Sequence, residues 1–199
     1  MSEVTSAQVK ALREATGAGM MDCKNALVET DGDFDRATDL LREKGLAQAH
    51  KRAGRSANQG LIDSYIHFNN TVGVLVEVNC ETDFVANNDL FRKLVKDIAL
   101  HIASPASPRF VERDEVPADE LERERHIFEA QAKESGKPDN VIEKIVEGKL
   151  AAFYKDHVLL EQGFVKDDSK TVQQLLDEVS AKVGEKVAVR RFVRYKLGE

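Results

Sequence analysis

With 199 residues, of which 42% are hydrophobic and 32% charged, the chain has room for one mid-sized domain plus a smaller one and enough apolar material to bury a core. A formal net charge of −6 excludes the broad basic surface of a general nucleic-acid binder. No run approaches the roughly 18 apolar residues of a membrane span, and no basic-then-apolar leader opens the chain, so a cytoplasmic protein without membrane contact is expected.

In chain order, Thr5 and Gln8 have the spacing of a capping box, with Val4 and Val9 placed as a hydrophobic staple, which predicts a helix from Ser6 to Ala15. Gly17 and Gly19 end it. A second helix from about Met21 carries Cys23, Ala26 and Leu27 on one face; Gly32 breaks it, and Asp33 caps a third helix with Phe34, Ala37, Leu40 and Leu41 inside, stopped by Gly45. Residues 1–46 therefore read as a compact three-helix unit. The turn Gly17, Ala18, Gly19, Met20 admits two readings: a tight interhelical connection, or a protein-binding surface built on an adaptable methionine. Asp31, Asp33 and Asp35 do not make a calcium loop, because Arg36 and Arg42 stand where Gly and Glu are needed.

Residues 47–60 carry Lys51, Arg52 and Arg55 without an acid and without apolar period, the pattern of a linker whose charges are solvated or steer an acidic partner. Ile62, Ser64, Ile66 and Phe68 then form one face of a strand. Asn69, Asn70 and Thr71 turn it into a second strand over 72–79, where Val72, Val74, Val76 and Val78 alternate as a half-buried strand requires. The polar run from Asn79 to Asp83 leaves that pattern, and Phe84 follows with no apolar repeat to bury it. Either Phe84 folds back into the core while Asp83 or Asn87 caps the next helix, or an aromatic and a carboxylate stand exposed together at a strand end as a wedge.

A helix over 89–103 aligns Leu90, Leu94, Ile98 and Ile102, and a loop with Pro105, Pro108 and Pro117 follows. Helices over about 118–135 and 139–157, separated by Gly136, Lys137 and Pro138, form a helical hairpin whose seam sets Leu121 and Phe128 against Ile142, Val146, Leu150 and Phe153. A last helix over 171–183 buries Val172, Leu175, Leu176 and Val179, and a third strand over 186–195 puts Val187, Val189, Val193 and Tyr195 on one side. Its Arg190, Arg191 and Arg194 lack the glycines of an RNA-recognition strand and read as a solvated outer face. The fold class is α+β, a small antiparallel sheet packed with helices, with residues 61–199 as the core domain.

No residues converge on bond chemistry. Gly136-Lys137 precedes Pro and Gly148-Lys149 precedes Leu, so neither makes a phosphate-binding loop. His50, His67, His101, His126 and His157 are scattered, with no Glu-x-x-His pair or nucleophile elbow beside them. Cys23 and Cys80 lie far apart without Cys-x-x-Cys spacing, so reduced thiols are expected, and neither metal, cofactor nor enzyme activity is.

Two stretches change this reading. Leu12-Arg13-Glu14-Ala15-Thr16-Gly17-Ala18-Gly19-Met20-Met21-Asp22-Cys23-Lys24-Asn25-Ala26-Leu27 and Glu77-Val78-Asn79-Cys80-Glu81-Thr82-Asp83-Phe84-Val85-Ala86-Asn87 resemble, in order, the two signatures of the bacterial elongation factor Ts family, and the resemblance extends along essentially the whole chain. It implies a ubiquitin-associated-like fold for residues 1–46, and guanine nucleotide exchange on elongation factor Tu, both GDP-bound and nucleotide-free. Asp83 and Phe84 would enter the partner's GTPase domain and disturb its Mg²⁺ site, with Thr82 and Val85 fixing the tip. Arg13, Gly17, Ala18, Gly19, Met20 and Met21 would dock on the nucleotide-binding domain, and His157 and Phe164 fall in the family's C-terminal contact region. The chain resembles the short members, with no room for a second sheet subdomain. Some of these pair as homodimers, so a monomer and a homodimer joined through an exposed sheet edge or face both stand open. Two other classes, a module for ubiquitin-like proteins and a ribosome-associated structural protein, are weakened by the large remainder after residue 46 and by the acidic balance.

Overall fold

The computed structural model describes residues 4–52, 54–134 and 138–199. Along the chain run α1 (Ser6–Thr16), α2 (Met20–Glu29), α3 (Phe34–Arg52), β1 (Gln59–Ile66), β2 (Val72–Cys80), the single-turn α4 (Asp83–Ala86), α5 (Asp89–Ala103), α6 (Ala118–Glu134), α7 (Asp139–His157), β3 (Gly163–Phe164), β4 (Asp167–Thr171), α8 (Val172–Val183) and β5 (Ala188–Lys196). The architecture is α+β: a three-stranded sheet in the order β1-β2-β5, a two-stranded β3-β4 ribbon, and helices. Two compact units share the chain, the first built from residues up to Leu61 with Asn79–Leu94 and Leu176–Ala188, the second from Ile62–Val78, Val95–Leu175 and Val189–Glu199.

In the first unit, the Thr5 hydroxyl accepts from Gln8 N at 3.3 Å while Gln8 Oε1 accepts from Thr5 N at 2.9 Å, satisfying two otherwise orphaned donors of α1. Gly17, at φ 71°, ends α1 in the left-handed conformation, its N–H donating to Arg13 O. Val9, Leu12, Cys23, Ala26, Leu27, Ala37 and Leu41 form the core of the three helices, with Val4 packed on it. Asp33 Oδ1 accepts from Arg36 N at 3.0 Å and so caps α3.

Gly45 does not stop α3, which continues to Arg52. A glycine inside a helix costs only about 1 kcal/mol, and here its missing side chain is used: a Cβ on Gly45 would lie 3.2 Å from that of Ala181 on α8. The expected linker over 47–60 is thus helical at its start and strand from Gln59; its Ala53 lies outside the described residues. Its basic side chains are also not simply solvated, since Arg55 Nη1 donates to Glu81 Oε1 at 3.3 Å and Arg52 Nη2 to Gln48.

In the second unit, Val72, Val74, Val76 and Val78 of β2 are buried as the alternation demands, and His67 N donating to Val72 O closes the turn from β1. Helix α5, which has Asp89–Leu94 in the first unit and Val95–Ala103 in the second, buries a broader stripe than its four aligned residues: Phe91, Val95 and Ala99 join Leu94, Ile98 and Ile102, and it is Asn88, through Leu90 N, that caps it. α6 and α7 form the hairpin, with Leu121 and Phe128 packed on Ala132, Ile142, Val146 and Leu150 on one side and on Phe153 and Val158 on the other. Pro138 precedes α7 in an extended conformation; Gly136 and Lys137 lie outside the described residues.

The last strand departs from its expected pattern. Val187 and Val189 are buried, yet Val193 and Tyr195 are exposed, while Phe192 and Arg194 are half-buried, so the inward side passes from odd to even positions between 189 and 192. One consequence is that Arg194 is not on a solvated face; its Nη1 donates to Glu199 Oε2 at 2.7 Å. The β3-β4 ribbon has no signal in the sequence, because Asp167-Asp168-Ser169-Lys170-Thr171 has no apolar alternation and its largely exposed strand leaves no hydrophobic trace.

Candidate functional site

At the end of β2 the chain makes one turn of helix. Thr82 is its cap: the Thr82 hydroxyl accepts from Val85 N at 3.4 Å and Thr82 O from Ala86 N at 3.2 Å. This short turn places Thr82 and Val85 half-buried on the inner side and lifts Asp83 and Phe84 outward. Phe84 is 85% exposed, so it does not fold back into the core, and it stands in water beside the exposed Asp83. Desolvating an aromatic of this size is among the larger single gains a protein surface can offer a partner.

What holds the turn comes from segments far from it in sequence as well as from its neighbours. Glu185, just after α8, accepts at Oε2 from Glu81 N at 3.1 Å and Thr82 N at 3.0 Å, and at Oε1 from the Thr82 hydroxyl at 2.6 Å. Glu81 answers in the other direction, its Oε1 accepting from Lys186 N at 2.6 Å and from Arg55 Nη1. The Lys186 N–H, helped by the Arg55 guanidinium, holds the Glu81 carboxyl below the usual carboxylate range. Behind the turn, the buried Cys80 thiol donates to Thr82 O at 3.1 Å; burial, with the Glu185 carboxylate acting in the same direction, pushes it up to about 11. It is an inert, protonated thiol at neutral pH. Asn87 ties off the far side, its Nδ2 donating to Asp83 O and its Oδ1 accepting from Arg92.

The second group of candidate residues is the α1–α2 turn. Arg13 is exposed on the last turn of α1, Ala18 is half-buried against the three-helix core, and Met20 and Met21 are 53% and 64% exposed at the start of α2. Gly17 and Gly19 flank the turn, Gly19 as the cap of α2. Both this turn and the residues 82–85 belong to the first compact unit. His157 and Phe164 belong to the second, and neither is presented in the same way: the His157 ring is half-buried against Phe153 at 4.6 Å between centroids, and Phe164 is buried.

What sequence reasoning missed is the bracing role of Glu185, Glu81, Lys186 and Arg55, since Arg55 reads as a linker charge and Glu81 only as part of the second signature. Each is an ordinary charged residue in a polar stretch, and nothing local links position 82 to position 185. Among the described residues no group of three or more His, Cys, Asp or Glu could hold a metal ion, and the buried His101 is engaged on both ring nitrogens, with Gln162 Oε1 and with Val165 N. The arrangement can present a carboxylate and a phenyl ring on a fixed backbone.

A family model described as Elongation factor TS matches residues 7–199. Among curated relatives, Elongation factor Ts of Geobacter metallireducens is 60% identical over 196 residues, 98% of this chain and 90% of that protein. Elongation factor Ts of Desulforamulus reducens is 59% identical over 199 residues, 100% of this chain and 91% of the relative. Elongation factor Ts of Caldanaerobacter subterraneus is 56% identical over 196 residues, with 98% of each chain covered.

Proposed function

This chain belongs to the elongation factor Ts family, whose members exchange guanine nucleotide on elongation factor Tu, and we propose that here the exchange runs through residues 82–85. Phe84 enters between helices of the partner's GTPase domain as a steric wedge, and Asp83 competes for polar contacts around the partner's Mg²⁺. That ion bridges the nucleotide's phosphates, so displacing it leaves their charge poorly compensated and GDP departs. Arg13, Gly17, Ala18, Gly19, Met20 and Met21 dock on the nucleotide-binding domain and hold the tip in place. No bond is made or broken in the exchange, so the chain acts as a binding partner and not as an enzyme; it needs no cofactor, contacts no nucleic acid directly, and works in the cytoplasm.

The energetics are those of linkage. A factor can loosen nucleotide only by binding the nucleotide-free partner more tightly than the nucleotide-bound one, and nucleotide then weakens the factor by the same ratio, about 1.4 kcal/mol per tenfold. The observation that carries this reading is the exposure of Phe84 on a turn whose backbone is bonded from behind. Ordering a loop on binding consumes affinity, and a turn already ordered avoids that loss. The test is release of a fluorescent GDP analogue from purified elongation factor Tu at fixed Mg²⁺, with this chain and with its Asp83→Ala, Phe84→Ala variant. Acceleration by the parent alone supports exchange through the tip; equal acceleration by both moves the wedge elsewhere, and none by the parent sinks the exchange function for this chain.

A second observation supports a homodimer. Ile62 and Ile66 of β1, Leu75 of β2 and Tyr195 of β5 are all exposed, on three neighbouring strands. Their charged neighbours Glu77 and Arg191 neutralise each other at 2.8 Å, so a second copy meets this surface without like-charge repulsion. A mass of twice the chain in light scattering at micromolar concentration is expected; the mass of one chain counts against the dimer.

A further inference from the structure

We propose that Glu185 is the positioning residue of the exchange tip, holding residues 82–85 in the conformation that presents Phe84; this rests on the reading of residues 82–85 as the exchange tip. Three donors converge on its carboxylate, Glu81 N, Thr82 N and the Thr82 hydroxyl, all within 3.1 Å. Bonds to an ionised acceptor are roughly twice as strong as neutral ones, and here they fall on the two residues that immediately precede α4.

The third bond reaches further. Because the Thr82 hydroxyl gives its proton to Glu185 Oε1, a lone pair is left to accept from Val85 N, which closes the turn carrying Asp83 and Phe84. Glu185 therefore fixes the strand end directly and the helical turn through one hydroxyl. Glu185 itself is anchored: the Ser180 hydroxyl donates to Glu185 O at 2.6 Å, and Gly184, at φ 76°, lets α8 end so that the carboxylate turns toward Thr82. The reciprocal bond from Lys186 N to Glu81 Oε1 makes the link double, each acidic side chain holding the other segment's backbone. Glu185 touches no partner in this scheme; it acts through Thr82.

The alternative is that Glu185 merely closes a loop, and the experiment separates the two. Backbone amide hydrogen exchange on the full chain is compared with stimulated GDP release for the parent, Glu185→Ala, Glu185→Asp and Glu185→Gln. Ala removes the acceptor and Asp keeps the charge but shortens the reach; both should speed exchange at the Thr82 and Val85 amides at least tenfold while leaving Leu12 and Leu27 in the three-helix core protected. Both should raise the concentration of factor needed for half-maximal release about tenfold. Gln, whose carbonyl oxygen can still accept from both backbone N–H groups, should return within about threefold of the parent. Unchanged protection at Thr82 and Val85, a loss spread evenly over the chain, or lost protection with unaltered GDP release would each overturn the proposal. Should the Asp83, Phe84 variant exchange as fast as the parent, the tip reading itself fails, and amide protection alone decides whether Glu185 orders residues 82–85.

Discussion

Two exposed apolar surfaces of this molecule differ in what stands behind them. At residues 82–85 a single aromatic projects from one turn whose backbone is bonded by Glu185, Cys80 and Asn87. On the sheet, Ile62, Ile66, Leu75 and Tyr195 are exposed in a broad array on strands already bonded to each other. A protruding side chain on a braced turn suits insertion into a partner, because its geometry is set before contact. A flat array on a regular sheet suits area burial against a matching flat surface, where no single residue has to be placed accurately. Exposure alone would have put both into one class.

The largest expected effect breaks that comparison at the tip. Replacing Asp83 and Phe84 together by Ala should slow stimulated GDP release at least a hundredfold at sub-saturating factor, the range of two hot-spot residues. Both side chains are in water in the free chain, so its melting temperature should hold. Phe68→Ala, which removes an aromatic of equal exposure beyond the end of β1, should leave release unchanged at saturating factor. Next in size is a charge on the sheet: Leu75→Lys should weaken self-association about thirtyfold, close to 2 kcal/mol, since the ammonium would have to be buried unpaired. Sedimentation over a concentration series reads it, and a variant that associates as the parent does would move the dimer contact off this face.

How far the sequence carried these distinctions depends on the range of the interaction. Local chemistry was legible: Thr5 and Gln8 give the α1 cap, the β2 valines give a half-buried strand, and the aligned leucines and isoleucines give α5 to the residue. Gly45 misled because a helix tolerates one glycine and the reason for it, Ala181, is 136 positions away. The exposure of Phe84 was an open choice from composition, since the same residue in the same pattern can close a core. Its bracing was invisible, because it joins Thr82 to Glu185. The register change in β5 had no signal either: Arg190 and Arg191 side by side look alike whichever strand face each one takes.

A third, smaller effect is a pH dependence that originates in the second unit. His101, fully buried in the second unit, accepts from Val165 N at Nδ1, which leaves Nε2–H to donate to Gln162 Oε1 at 3.0 Å and fixes a neutral ring. Burial holds its pKa below the ordinary value of 6.5, against the opposing pull of Gln162. The unfolded chain then binds more protons than the folded one below pH 6.5, so the stability from this histidine is complete above 6.5 and is lost as pH falls toward the lower folded value. One group contributes a slope of at most about 1.4 kcal/mol per pH unit. Melting temperature between pH 7 and pH 5 should fall more steeply for the parent than for His101→Gln; equal slopes would mean the ring is not held neutral.

The smallest effect concerns how the tip is braced, and it uses one atom. Thr82→Ser keeps the hydroxyl that donates to Glu185 and accepts from Val85 N, losing only a methyl group, and should exchange within about twofold of the parent. Thr82→Val has nearly the shape of threonine but neither bond, while the backbone bonds from Glu81 N and Thr82 N to Glu185 remain. The missing cap is worth about 1 kcal/mol, or roughly fivefold in the population of the presenting turn. If release depends on a turn formed before contact, Val should raise the half-saturating concentration by that factor and leave the maximal rate alone, because a bound tip is re-ordered by the partner. A fall in maximal rate with unchanged half-saturation would mean instead that the hydroxyl acts after docking, and the contrast between a braced tip and a flat sheet would rest on the backbone bonds alone.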